Sequence, residues 1–191
     1  TNQTACSPGT YQASSGQSSC LNPSPGHYAS GTGSTNQTAC SPGTYQASSG
    51  QSSCLSASPG FYSPSAGSSN QTPASPGNFV PGYHATSQMA CFLGTYQPSS
   101  GQSSCIDASP GHYVIGSGST NQTACPGGTY NPSSGSYTSG VCIWSSPGFY
   151  SPGPGTANQI ACHPGAYQPS SGASSCIDAS PGHYVSGNGS T

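Results

Sequence analysis

The 191-residue chain contains no lysine or arginine, two acidic residues and a formal net charge of −2, and only 30% of it is hydrophobic even when tyrosine and cysteine are counted. Without cations to displace counterions it cannot grip a phosphate backbone, which excludes nucleic acid and, on the same ground, anionic membrane surfaces. So polar a chain, rich in glycine, proline and serine, has the composition of a disordered segment, but its 10 cysteines point to order imposed by disulfides in an oxidising compartment.

Taken in chain order, the first predicted element is the turn Pro-Gly-Thr-Tyr at Pro8 to Tyr11, and it sets a beat. A turn of this kind returns at a constant step, with its aromatic at Tyr11, Tyr28, Tyr45, Tyr62, Phe79, Tyr96, Tyr113 and Tyr130, and after one longer step it resumes at Tyr150, Tyr167 and Tyr184. Such a period marks a repeat array whose units lean on their neighbours. Residues 1–34 form repeat 1, whose related halves are 1–17 and 18–34, and residues 35–68 form repeat 2. Residues 69–85 are a cysteine-free half-repeat, followed by repeat 3 at 86–119, repeat 4 at 120–156 with a three-residue insertion near Tyr137, and repeat 5 at 157–191. Thr191 stands in the phase of Thr1, as expected for a slice of a longer array.

No window has helical apolar periodicity, and Gly or Pro interrupts almost every stretch. Proline followed by glycine suits the two central positions of a type II turn, with short extended pieces after it. The expected fold is a small, disulfide-rich, mostly irregular and β structure: an elongated ladder of tandem repeats, each of two halves, with no helix and no conventional core.

Two disulfide pairings are open. The shorter-range one gives Cys6–Cys20, Cys40–Cys54, Cys91–Cys105 and Cys162–Cys176, with Cys125–Cys142 across the insertion, and leaves no cysteine over. The longer-range one, which joins Cys20 to Cys40, makes Cys54 reach Cys91 over the cysteine-free half and leaves Cys6 and Cys176 for other copies. The first is preferred, although spacing does not settle connectivity. The motif Cys-x-Pro-Gly-x-Tyr followed by a second cysteine, carried by Cys6, Gly9, Tyr11 and Cys20 and again at the same spacing by Cys40, Gly43, Tyr45 and Cys54, resembles the first loop of the cysteine-rich modules of tumour necrosis factor receptors and the ephrin-receptor-like cysteine-rich repeats. The resemblance implies ladders of small modules outside the cell, used for ligand binding or as spacers, and it also implies the shorter-range pairing. The families' closely spaced additional cysteines are missing here, so the second half of each unit has no disulfide of its own.

Chemistry is sparse. His27, His112 and His183 recur in Pro-Gly-His-Tyr, and His84 and His163 stand alone, none with a second ligand at metal spacing, so all five read as turn residues and no metal or cofactor is expected. Asp107 and Asp178 occupy equivalent positions and read as exposed loop carboxylates, so no catalytic residue is expected and the chain is read as a non-enzyme. Asn-x-Ser/Thr acceptors stand at Asn2, Asn36, Asn70, Asn121 and Asn188, which makes covalent glycans expected; Ile160 removes the acceptor at Asn158. Tyr137, Ile143, Trp144 and Phe149 are a candidate contact patch toward a neighbouring protomer or a sugar ring, against the plainer role of capping the Cys125–Cys142 loop. The reading is an extracellular or cell-surface structural protein, a glycosylated filament, stalk or sheath that assembles with copies of itself or continues a longer array; the alternative is a receptor or adhesin ectodomain that binds protein or carbohydrate.

Overall fold

The structure is a computed structural model that describes residues 3–191, and the expected fold class is present: paired two-residue strands, five disulfides and no α-helix among the described residues. The one helical turn among them is a 3-10 turn at Ser139–Val141, in the inserted loop, where the Thr138 side chain accepts from the Gly140 N–H. The chain forms two compact units. The first holds residues up to Met89 with Ser99–Ser104, and the second holds Ala90–Pro98 with Cys105–Thr191.

In the first unit the antiparallel pairs are β1 (His27–Tyr28) with β2 (Thr38–Ala39), β3 (Thr44–Tyr45) with β4 (Leu55–Ser56), and β5 (Phe61–Tyr62) with β6 (Thr72–Pro73), preceded by a single bridge between Tyr11 and Leu21. Two more strands follow, β7 (Asn78–Phe79) and β8 (Met89–Ala90). In the second unit β9 (Thr95–Tyr96) pairs with β10 (Ile106–Asp107), β11 (His112–Tyr113) with β12 (Thr123–Ala124), and β13 (Thr129–Tyr130) with β14 (Ile143–Trp144). The series ends with β15 (Phe149–Tyr150) on β16 (Ile160–Ala161) and β17 (Ala166–Tyr167) on β18 (Ile177–Asp178). Asp107 and Asp178 are therefore exposed strand residues and not loop residues.

Strands this short contribute little alone. What holds each unit is a lattice of main-chain bonds that repeats with the beat of the turns. The turn closes on itself, as Thr44 N–H donates to Ser41 O at 3.0 Å. The turn glycine then donates to the residue just past the next half-unit's aromatic, Gly26 to Gln46 at 2.7 Å, Gly60 to Val80 at 2.8 Å and Gly111 to Asn131 at 2.7 Å. Its own carbonyl accepts from the buried small residue of that next half-unit, from Cys40 to Gly26, Ala74 to Gly60 and Cys125 to Gly111, each at 2.8 Å. The residue after the aromatic donates into the next half-unit's polar loop, Ala29 to Gln51 at 3.0 Å and Val114 to Ser136 at 2.9 Å. The polar loop returns a bond to the small residue of the preceding half-unit, Gly50 to Pro23 at 3.0 Å and Gly135 to Ala108 at 2.8 Å. Each such bond is worth about 1 kcal/mol net. The cysteine-free half at residues 69–85 is held in the same way, with Ala74 N–H donating to Gly60 O at 2.8 Å and Val80 N–H to Gln102 O at 3.0 Å. The insertion only lengthens the step, with Gly128 donating to Ser151 at 2.9 Å.

The interior is two columns of small or polar side chains. One holds Cys40, Ala57 and Ala74 in the first unit, and its counterpart within the second unit holds Cys91, Ala108, Cys125, Ser145 and Cys162, all 0% exposed. The other, one position past each aromatic, holds Ala29, Gln46, Ser63 and Val80, then Gln97, Val114, Asn131, Ser151 and Gln168, all buried. The aromatics themselves stay half-buried, from Tyr11 to Tyr167. Close approach explains the turn glycine. Gly43 has φ +84°, and a Cβ there would overlap the His84 carbonyl oxygen.

Candidate functional site

The ten cysteines are all paired, as Cys6–Cys20, Cys40–Cys54, Cys91–Cys105, Cys125–Cys142 and Cys162–Cys176. Each bond joins the buried small-residue column to the start of the following half-unit. Between the disulfides the same two positions are filled differently. Pro23, Ala57, Ala74, Ala108 and Ser145 stand where the first cysteine would be, and Gln37, Gln71, Gln88, Gln122 and Gln159 stand where the second would be. Every one of those glutamines accepts a main-chain bond through Oε1: from Ser24 N–H at 2.9 Å, Ser58 at 2.8 Å, and Ser75, Ser109 and Ser146 at 2.7 Å.

The half-units that lack a disulfide are therefore latched by a glutamine that spans the same gap. This pairing was missed in the sequence, although the alternation of Cys and Gln at one position was visible there. A second rule accompanies it. In the disulfide-bonded loops the residue after the tyrosine is an amide that crosses the loop, with Gln46 Nε2 donating to Ser53 O at 2.9 Å and Oε1 accepting from Ser48 N–H at 3.1 Å. Gln168 does the same with Ser175 and Ser170. In the inserted repeat Asn131 replaces it, donating to His112 O at 3.0 Å and Ser136 Oγ at 2.9 Å. In the latched half-units Ala29, Ser63, Val80, Val114 and Ser151 take its place. The Ser63 and Ser151 hydroxyls are buried there without a partner.

The acceptor residues Asn36, Asn70 and Asn121 are exposed, each immediately before a latching glutamine, and Asn188 is exposed in a later turn. Asn2 lies outside the described residues. The histidines sit singly: His27, His112 and His183 place Nδ1 at 3.3, 3.2 and 3.3 Å from the carbonyl of the preceding turn proline, and His163 places it 2.8 Å from Pro164 O. His84 is the one non-glycine residue among those described with positive φ, 59°, and its Nε2 lies 2.8 Å from Ser56 Oγ. Among the described residues no group of three or more His, Cys, Asp or Glu is placed to hold a metal ion, and no helix is long and apolar enough to cross a membrane.

The four residues of the expected contact patch are distributed. Ile143 lies opposite Tyr130 and Trp144 opposite Thr129, so neighbouring positions of β14 put them on opposite faces. Trp144 rests on Gly172, Phe149 rests on Gly189, and Tyr137 is exposed in the inserted loop. Trp144 is 65% exposed, so it covers the Gly172 turn with part of its ring only.

With this geometry in view, the family described as tyrosine-protein kinase ephrin type A/B receptor-like matches residues 4–40 and 82–125. Over these stretches the chain is similar to an ephrin-receptor-like cysteine-rich repeat. Each matched stretch contains one complete disulfide loop, Cys6–Cys20 or Cys91–Cys105, and one latch with both partners inside the match, Gln37 on Ser24 or Gln122 on Ser109, before the next cysteine. The match thus spans one disulfide and one latch, which together make the full repeat. No curated protein matches the chain at a significant level.

Proposed function

We propose that the chain is a non-catalytic, structural segment of an extracellular or cell-surface protein, a disulfide-stapled array serving as filament, stalk or sheath, with sugars on its exposed acceptor asparagines and assembly with copies of itself or with further repeats. The observation that carries this reading is that each half-unit is braced by main-chain bonds to the halves that follow it, through groups that do not depend on side-chain identity. A scaffold of that kind tolerates variation at its surface while its spacing stays constant, which is what a spacer requires. Full oxidation of the cysteines fits an oxidising compartment, and near-zero charge favours association over colloidal repulsion.

The ephrin-receptor-like match favours a second reading, a receptor or adhesin ectodomain that presents the repeats to a ligand. Electron microscopy of the secreted full-length protein separates the two. Uniform filaments or rods with a constant axial repeat support the structural role, and dispersed particles that capture a soluble ligand through these repeats refute it.

A further inference from the structure

Resting on the extracellular reading above, we propose that, among the described residues, the N-glycans are carried beside the latching glutamines, at Asn36, Asn70 and Asn121, and that the acceptor motif at Asn188 stays unmodified. In each of the three, the sequence is Asn-Gln-Thr, and the central glutamine is the latch. Its side chain points inward to a main-chain N–H, and because side chains alternate along extended backbone, the asparagine before it and the threonine after it turn outward together. Asn36, Asn70 and Asn121 are exposed, and so are Thr38, Thr72 and Thr123. The amides are unengaged or nearly so: Asn70 and Asn121 each only approach the hydroxyl of the preceding residue at 3.5 Å. The three threonine hydroxyls make no hydrogen bond among the described residues.

Asn188 is also exposed, but the rest of its motif differs. It belongs to the polar turn, with Gly189 at φ +66° as the central residue of its motif. The Ser190 hydroxyl donates to Gly187 O at 2.9 Å, and the Ser190 carbonyl accepts from Gln168 N–H at 3.0 Å. The same closure uses Ser34, Ser68 and Ser119 in other turns. The hydroxyl that a transferase must find free is thus engaged in closing its own turn there.

The reaction forms a bond between Asn Nδ2 and the anomeric carbon of an oligosaccharide donated by a lipid pyrophosphate. The bond from that carbon to the pyrophosphate oxygen breaks, the lipid pyrophosphate leaves, and one amide proton passes to base, with no change of oxidation state. Sugars at these positions stand beside the Tyr28–Thr38, Tyr62–Thr72 and Tyr113–Thr123 rungs. The rungs left bare are the apolar ones, among them Tyr130–Ile143, Tyr150–Ile160 and Tyr167–Ile177, which follow one another in the second unit.

The test is secretion of the full chain from eukaryotic cells, release of glycans by an amidase that converts each occupied asparagine to aspartate, and peptide mass mapping. Conversion at Asn36, Asn70 and Asn121 with Asn188 unchanged is expected, and Thr38→Ala abolishes conversion at Asn36 while leaving the other two. Unmodified Asn36, Asn70 and Asn121, or conversion at Asn188, overturns the proposal. The same maps report the disulfides: a secreted, fully paired chain without sugar refutes the glycan assignment alone, whereas failure to secrete a paired chain counts against the extracellular reading.

Discussion

Replacing Gly43 with alanine tests whether the turn, and not the disulfide, sets the fold. The residue has φ +84°, where an L side chain costs roughly 1–2 kcal/mol, and a Cβ would overlap the backbone oxygen of His84, which cannot swing aside as a flexible side chain would. Relief requires the turn to retreat, which strains three bonds: Gly43 N–H to Ser63 O at 2.8 Å, Ala57 N–H to Gly43 O at 2.9 Å, and His84 N–H to Ala57 O at 3.1 Å. At about 1 kcal/mol each, the local cost reaches roughly 4–5 kcal/mol. Gly165 is the internal control, since it occupies the same turn position at φ +93° with nothing within 4 Å of a Cβ, so Gly165→Ala should cost only about 1–2 kcal/mol. Removing the Cys40–Cys54 bond, whose sequence separation is 14, should cost about 3 kcal/mol while leaving the register unchanged. Native-state hydrogen exchange at the Ala57 and His84 amides reads the Gly43 and cysteine variants, and at the Ala179 amide, which donates to Gly165 O, the control. Equal losses of protection in Gly43→Ala and Gly165→Ala, or a shifted pattern of protected amides in the cysteine variant, would refute the reasoning.

Gln71→Ala should release Ser58 N–H and speed exchange at that amide by an amount equivalent to about 1 kcal/mol, with Ser109, latched by Gln122, unaffected. Ser63→Ala and Ser151→Ala should each stabilise the chain, by roughly 1 kcal/mol, and raise the denaturation midpoint, because each removes a buried hydroxyl without a partner from a column where Val80 and Val114 are also buried; a lowered midpoint means the hydroxyl has a role the geometry does not explain. Trp144→Ala should cost about 2 kcal/mol, from the third or so of its surface that is covered, and deprotect the Gly172 turn without altering the Cys125–Cys142 bond.

The beat was legible because a type II turn needs particular residues and because a slip of one position would break every bond in the lattice. It survives even where proline is lost, as at Phe92-Leu93-Gly94, since Thr95 N–H still donates to Phe92 O at 3.0 Å. The disulfides were legible for a similar reason, the alternating short and long cysteine spacings admitting few solutions. The glutamine latch was not read, because a glutamine in a polar loop carries no signal by itself; its meaning lies in a partner in the preceding half-unit, as Gln37 finds in Ser24. The dispersal of Ile143 and Trp144 to opposite faces was equally hidden, because nearness in sequence was read as nearness in space.

The latch also reinterprets the recurring Asn-Gln-Thr. Recurrence at one phase suggests a requirement for the asparagine, yet Gln88 in Ser-Gln-Met and Gln159 in Asn-Gln-Ile keep the latch where the acceptor motif is absent. The glutamine is therefore required by the fold, and the acceptor is an addition to it that some half-units have and others lack. Conversely, Pro126 has no N–H to offer a latch, and it stands in a half-unit closed by Cys125–Cys142. Disulfide and glutamine are two solutions to one problem, tying a small buried residue's neighbourhood to the start of the next half-unit. They differ in strength, about 3 against about 1 kcal/mol, which makes the run from Cys54 to Cys91, where Gln71 and Gln88 stand in for disulfides, the stretch that opens first as denaturant rises.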